Sequence, residues 1–388
     1  MKDIVAKANE NAFFLAGKIR KKGSLPTDPS STNNDFSTSK KRLTRKELIE
    51  FMKELDGYLQ KYRDVSGRTL RLSCLDIEKS VITSDDSVFS SMVPRTNIIC
   101  SLSTEKNGEK TNLNCVLGGC GHFEDVFTEP SDCFSDLDKL HADLMKKAEG
   151  VIPRAGYHQL ILHSDLAGIL AHEAIGHTTE ADLVLAGSVA ANFLNKQVAS
   201  PLVTLVDFAH TALGKTCPVP VYTDDEGTCA RDAVLIEKGI LKGYMHNKES
   251  ALIMNCPPTG NARAWGFDDE PLVRMRNTAI LPGTSKLEDM IASVEDGYYL
   301  QKPANGEADS TSEFMFAVTM GYEIKKGKLG RAIKDTTISG VAFDMLKTVS
   351  MVSDDMDWNG SGYCGKGQLM TVGMGGPAVK CMANLGGR

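Results

Sequence analysis

The sequence predicts an α+β fold: helices and an antiparallel sheet in the first part, then a mostly β part that carries one conspicuous helix. Three observations predict it. Apolar residues recur at spacings of three and four in only a few segments; short runs elsewhere alternate with a period of two; and Asn-Gly or Lys-Gly pairs separate such runs, where hairpin turns need positive φ.

In chain order, Val5, Ala8, Ala12, Leu15 and Ile19 share one face, so residues 3–22 read as an amphipathic helix that needs a partner surface. Residues 23–41 are rich in Ser, Thr, Asn, Pro and Gly, the composition of a linker, and the first boundary falls there. Thr44 and Glu47 form a capping box ahead of Leu48, Ile49, Met52, Leu55 and Leu59, which predicts a helix from about 44 to 62. Leu70, Leu72 and Cys74, then Ile98, Cys100 and Leu102, alternate as strands do, and Asn107-Gly108 joins strands near 97–105 and 110–117. Gly118-Gly119-Cys120-Gly121-His122 reads as a turn between strands, with a metal role for Cys120 or His122 as the alternative. Ser135 and Asp138 open a helix bearing Leu137, Leu140, Leu144 and Ala148, stopped by Gly150 and Pro153. The expected organisation is an N-terminal helix and linker (1–41), an α+β middle domain (42–150) and a mostly β domain (151–388).

In the last of these, Leu160-Ile161-Leu162 leads into Ser164-Asp165 as the N-cap of a helix bearing Leu166, Ile169, Leu170 and Ala174. β signals follow at 202–206, 219–222, 233–236 turning at Lys238-Gly239 into 240–244, and 317–324 turning at Lys326-Gly327. Only 286–294 and 341–349 read as further helices, and no internal repeat is visible.

The chain has 388 residues, 41% apolar and 24% charged, which excludes simple disorder. No stretch reaches the roughly 18 apolar residues of a membrane span, and the N-terminus lacks the pattern of a secretory signal. A cytoplasmic protein without a membrane partner is expected, and its ten cysteines, without CxxC spacing, are expected to be reduced thiols. Net charge is -6 although the first fifty residues hold 11 Lys+Arg against 6 Asp+Glu, so the body is strongly acidic, which argues against a nucleic-acid partner.

The sharpest chemical signal is His172-Glu173-Ala174-Ile175-Gly176-His177 at the end of a helix, in a chain with 8 His. The familiar zinc-peptidase spacing places its two His at i and i+4, roughly 40° apart around the helix, whereas i and i+5 are roughly 140° apart on a regular one. Chelation therefore requires either a π-type turn or a helix that ends at Gly176 and lets His177 swing back. Zinc is the natural ion for imidazoles with a soft or carboxylate ligand, and Glu173 is positioned beside one ligand to take a proton from a metal-activated water. Glu180 and Asp182 are candidates for a third ligand or for acceptors behind the His rings. The bland alternative, two unligated His and a solvated Glu, fits poorly with the small apolar helix before the motif.

Two further stretches are unusual. Gly360-Ser361-Gly362-Tyr363-Cys364-Gly365-Lys366-Gly367-Gln368, followed by Val372-Gly373-Met374-Gly375-Gly376-Pro377, implies close backbone approach around Cys364, yet matches no nucleotide-binding pattern. Asn261, Arg263, Arg274 and Asn277 flank Trp265, and their Arg residues suit a peptide carboxylate or local ion pairs with Asp268, Asp269 and Glu270.

His172–His177 with Glu180-Ala-Asp182, Arg274-Met-Arg-Asn277-Thr278, Leu287–Val294, Tyr363–Gln368 and Val372–Pro377, in this order, resemble the TldD/PmbA metallopeptidase family, once called modulators of DNA gyrase. The likeness spans roughly residues 44–388 and is to the TldD branch, since the inactive partner branch lacks the His-Glu-x-x-x-His string. It implies one zinc per chain held by His172, His177 and Cys364, with Glu173 as general base, and so selects Cys364 among the cysteines. It also implies hydrolysis of flexible peptides held as an added strand in a narrow chamber, closed by a second copy or an inactive relative. Family members carry a longer region before the zinc helix, so residues 1–22 are expected to be what remains of a first domain. A non-catalytic zinc-containing binding or assembly subunit and a thiol enzyme using Cys364 are the competing readings.

Overall fold

The computed structural model describes residues 2–18, 24–27, 31–84, 86–308 and 310–386. Helix Lys2–Ala16 has no buried residue, and Ile4, Val5, Phe13, Phe14 and Leu15 face solvent; residues 19–22 of the expected helix lie outside the described residues. The expected linker is in part a strand, because Ser31–Asp35 pairs in parallel with residues 88–92 of strand Val88–Lys106. Composition hid it, since Ser, Thr and Asn on a half-solvated edge are the same residues that favour turns.

Helix Arg45–Leu59 starts at the expected capping box: Glu47 N donates to Thr44 Oγ1, and Thr44 N donates to Glu47 Oε2. It turns Phe51, Leu55 and Leu59 inward and leaves Ile49 exposed. Helix Phe134–Ala148 begins before the expected cap, because the 3-10 turn Pro130–Cys133 runs straight into it, and it buries Leu137, Leu140 and Leu144 in the same core. Both pack on a sheet in which Val88–Lys106 pairs antiparallel with Gly67–Ile82 on one edge and with Glu109–Cys120 on the other. Asn107 and Gly108 have φ of 54° and 78°, as a two-residue hairpin turn requires. The expected turn at Gly118-Gly119-Cys120 is a correction: these residues continue the strand opposite Asn97, Thr96 and Arg95.

The rest of the chain is built on two larger sheets. In the first, Asp296–Ala308, Gly156–Leu162, Val379–Gly386, Thr336–Val341 and Glu313–Lys325 pair in that order, and Asp296–Ala308 pairs back onto Glu313–Lys325 to close a ring. The second runs Ile240–Leu241, Ala233–Glu237, Leu205–Phe208, Asn277–Ile280, Gln368–Gly376, Asp357–Lys366. Helix Ser164–Ile169 packs against strands of both, and Leu166, Ala167, Leu170, Ala171, Ala174 and Ile175 are buried in the main core. The hairpins at Lys238-Gly239 and Lys326-Gly327 form with positive φ at all four residues. Two expectations fail here. Residues 219–222 form no strand, and helix Lys248–Met254, capped by Asn247 and Ser250, was not foreseen because one short helix shows too few apolar repeats. The result is a mixed α and β protein with a β-rich C-terminal part, and among the described residues no helix is long and apolar enough to cross a membrane.

Candidate metal centre

Helix Ser164–Ile169 does not continue as an α-helix. Residues Leu170–Gly176 form a π-helix in which the His177 N–H bonds to the His172 carbonyl, so the i and i+5 positions share one face. Of the two ways to reconcile the spacing with chelation, the chain uses the π turn. Gly176 makes room for it: a Cβ there would lie 1.9 Å from Met275 Sδ, and Met275 is fully buried. Gly176→Ala is therefore expected to destabilise the chain by about 1–3 kcal/mol through overpacking. Denaturant unfolding of Gly176→Ala with and without Met275→Ala tests this; equal stability of the single variant and the parent would refute the packing argument.

The third group arrives from the second sheet. Strands Asp357–Lys366 and Gln368–Gly376 form a hairpin turning at Gly367 (φ 69°), and Cys364 projects from its first strand. One donor atom from each of His172, His177 and Cys364 lies within 4.8 Å of the others, the one such group of His, Cys and acidic side chains found among the described residues. Cys364 Sγ is 3.3 Å from His177 Nε2, and the two imidazole planes meet at 81°. His172 is fully buried, yet neither ring nitrogen has a hydrogen-bond partner. Such an orphan is costly unless something binds it, and an ion between the three donors would satisfy one of the two nitrogens.

The electrostatics agree. Burial, with His177, Arg274 and Arg263 nearby, holds the His172 imidazole well below its usual pKa, so it stays neutral and able to ligate. Burial opposes charge on His177 too, but its hydrogen bonds to Cys364 and Glu180 outweigh that and push it up to about 10. A ring among such neighbours attracts positive charge, whether a proton or a metal ion that displaces it. Glu173 Oε2 lies 3.5 Å from His177 Nε2, and burial pushes its carboxyl up.

Behind the donors, His177 Nδ1 is 3.1 Å from Oε2 of the fully buried Glu180. Asp182 does not reach the ring; both its carboxylate oxygens accept from Lys366 Nζ, at 2.8 and 2.7 Å. Arg274, read from the sequence as suited to a peptide carboxylate or to local ion pairs, is fully buried and donates to Cys364 O at 2.7 Å and Gln368 O at 3.1 Å, bracing the cysteine hairpin. Asn261 and Asn277 are equally buried, the first bonded to Asp207 Oδ2 and Arg274 O, the second to backbone at 208, 209 and 219. Their polar atoms are used up inside the fold, so as placed they hold strands rather than a peptide. Arg263 is buried with Nη1 on Met275 O at 2.6 Å. His122 Nδ1 accepts from Thr38 N, which gives that ring a structural partner and no metal group.

Sequence reasoning missed Arg95, on the middle sheet, whose two Nη atoms each lie 3.2 Å from Gly362 O and whose guanidinium covers the Tyr363 ring at 5.1 Å. It also missed Asp207, a carboxylate inside the apolar strand Leu205–Phe208, which was the signal available.

Two cavities of about 540 and 600 Å³ meet at Glu173, Gly306 and Tyr363. One continues past His177 and Lys366; the other runs between Asp357–Lys366, the bulged stretch 302–306 and the middle sheet at 114–118. Asp357–Lys366 ends its sheet, with no further strand paired to it among the described residues, and residues 358–363 line the second cavity.

A family model for the PmbA/TldA metallopeptidase C-terminal domain matches residues 155–382. The chain belongs to the PmbA/TldD metallopeptidase family. This family member is 36% identical over 261 residues to the zinc metalloprotease TldD homolog of Saccharolobus solfataricus, an alignment covering 67% of the chain and 57% of the relative. It is 33% identical over 348 residues to the metalloprotease TldD homolog of Haemophilus influenzae, covering 87% and 71%. The PmbA/TldD chain spans about half to two thirds of the length of several of the curated relatives it matches. In fold it is similar to a putative modulator of a DNA gyrase from Thermotoga maritima (TM-score 0.73, 19% identity, 88% of this chain and 74% of that one). TldE from Thermococcus kodakarensis is also similar (TM-score 0.70, 19% identity, 95% and 80%).

Proposed function

We propose that this chain is a zinc metallopeptidase that hydrolyses flexible or unfolded peptides, with Glu173 as the general base. The observation that carries the reading is His172: fully buried, with two unpartnered ring nitrogens, in a cluster whose donor atoms come within 4.8 Å. His172, His177 and Cys364 would hold one zinc ion, a donor set of two imidazoles and a thiolate that suits zinc and leaves a fourth position open. Bound there, zinc supplies a Lewis acid for the scissile carbonyl and lowers the pKa of water.

The chain's own residues do the rest. Among the described residues Glu173 is the one carboxylate that lines both cavities and also approaches a ligand ring, so it takes the proton of the attacking water and returns it to the departing amine. The peptide would be held as an added strand beside the sheet-terminal Asp357–Lys366, away from the Gly362 and Cys364 carbonyls that Arg95 and Arg274 already occupy, a mode with little side-chain selectivity. The engagement of Glu180 with His177, and of Asp182 with Lys366, speaks against a closed four-ligand structural site. A Cys364–His177 thiol enzyme would leave His172 without a role. A cytoplasmic location and a dimer with a second copy or an inactive relative complete this reading, the partner idea drawing on the fold likeness to a TldE protein.

Zinc per chain after gel filtration, in wild type and Cys364→Ala, is the test. About one zinc in the parent and a large loss in the variant are expected, with cleavage of an unstructured peptide abolished by chelator and restored by zinc. Full zinc retention by Cys364→Ala, or hydrolysis indifferent to chelation, would overturn the reading.

A further inference from the structure

The glycine-rich hairpin carries two functional side chains, two residues apart on one strand and therefore on one face. One is Cys364. The other is Lys366, whose ammonium lies 2.8 and 2.7 Å from the Asp182 carboxylate oxygens, 2.9 Å from Val273 O and 3.1 Å from Glu180 Oε2. Glu180 has a fully buried side chain, and its other oxygen, Oε1, has no partner. Among the described residues its charge is met at Oε2 by His177 Nδ1 and Lys366 Nζ, both at 3.1 Å. Asp182 holds Lys366 in this place from the helix Ala181–Leu185, one residue beyond Glu180.

Resting on the zinc reading above, we propose that Lys366 is a positioning residue for the metal: it secures the Glu180 carboxylate that orients His177, so that one strand completes the ligand set with Cys364 and braces the opposite ligand with Lys366. The physical reason is that a buried carboxylate with no cation beside it is driven to leave its position, and that change releases the ring it orients. With its Nδ1 held by Glu180, the His177 ring keeps Nε2 turned toward Cys364. Because Cys364 and Lys366 share a strand, docking the hairpin brings both groups in together, and Arg274 on Cys364 O and Gln368 O fixes the hairpin on its far side.

The test measures zinc affinity of the full chain by competition with a chromophoric chelator, for wild type, Lys366→Met, Glu180→Gln and the double variant. Lys366→Met is expected to bind zinc about 10–100-fold more weakly, the range seen when groups supporting a metal ligand are removed. In the Glu180→Gln background the same substitution should have little further effect, since no carboxylate charge remains to be held. With cobalt in place of zinc, the sulfur-to-metal charge-transfer band should persist in Lys366→Met, showing that Cys364 still binds. Unchanged affinity in Lys366→Met would overturn the proposal, as would an equal loss in both backgrounds, which means that Lys366 only anchors the hairpin. Should Lys366→Met fail to yield a folded chain, Lys366→Gln keeps a donor for Val273 O, lacks the charge and enters the same comparison. A wild-type chain without zinc affinity is a different outcome, the failure of the metallopeptidase reading itself.

Discussion

Glu173→Gln is expected to keep its zinc and lose peptide hydrolysis by about 10²–10⁴-fold, the share a positioned general base contributes. The substitution preserves the size of the side chain and its place in the wall of both cavities, and removes only the ability to accept and return a proton. It leaves the three donor atoms of His172, His177 and Cys364 untouched, so the metal content should equal that of the parent. Rates on an unstructured peptide, measured beside zinc per chain, separate the possibilities. A variant that cleaves at close to the parental rate would remove Glu173 from the chemistry; one that loses zinc as well would move it from base to ligand.

The second large effect is structural and lies in the same sheet as Cys364, with two strands between. Asp207 is fully buried: Oδ1 accepts from the backbone N–H groups of Arg276 (2.8 Å) and Asn277 (3.1 Å) and from Thr278 Oγ1, and Oδ2 from Arg276 Nε (2.9 Å) and Asn261 Nδ2 (2.8 Å). The Arg276 guanidinium is itself fully buried and also reaches the carbonyls of Thr259, Gly260, Arg231 and Asp207. Removing the carboxylate in Asp207→Ala leaves an uncompensated buried cation and several unpaired donors, so a loss of about 3–5 kcal/mol in denaturant unfolding is expected. Because Asn277–Ile280 lies between Leu205–Phe208 and the cysteine hairpin, the damage should reach the metal site as weaker zinc binding. The double variant Asp207→Leu with Arg276→Met removes both charges and should recover part of the lost stability. A loss below about 1 kcal/mol in Asp207→Ala would show that the network is not what holds these strands together.

Much of the molecule could be read from local chemistry. The Thr44–Glu47 box and the Asn107-Gly108, Lys238-Gly239 and Lys326-Gly327 turns depend on side chains and φ preferences a few residues apart, and all form. The β-rich second part was legible from period-two runs for the same reason. The strand Ser31–Asp35 and the helix Lys248–Met254 were not, because an edge strand of polar residues and a helix of two turns leave no apolar period. At the site, the His-Glu-x-x-x-His spacing announced that a regular helix was insufficient, and the π turn is the answer the backbone uses. That Asn261, Arg274 and Asn277 are buried was not legible, because polar residues in a Gly/Pro-bearing segment look alike whether they face a cleft or fill a buried network.

What the sequence by itself determined is therefore the set of local structures and the identity of the chemical groups: two imidazoles around a carboxylate, a glycine at 176 where a π turn or a helix end would need one, and a glycine-flanked thiol. What only the tertiary structure decided is which groups meet. Cys364 stands 187 residues from His177, and Lys366 stands 184 from Asp182. Their pairing depends on sheet order and on the buried arginines that grip the cysteine hairpin, and those are contacts between strands far apart in the chain. Local preference acts over a few residues, whereas burial without an unpaired charge is a condition on the whole packed core, and that condition is what brings the ligand set together.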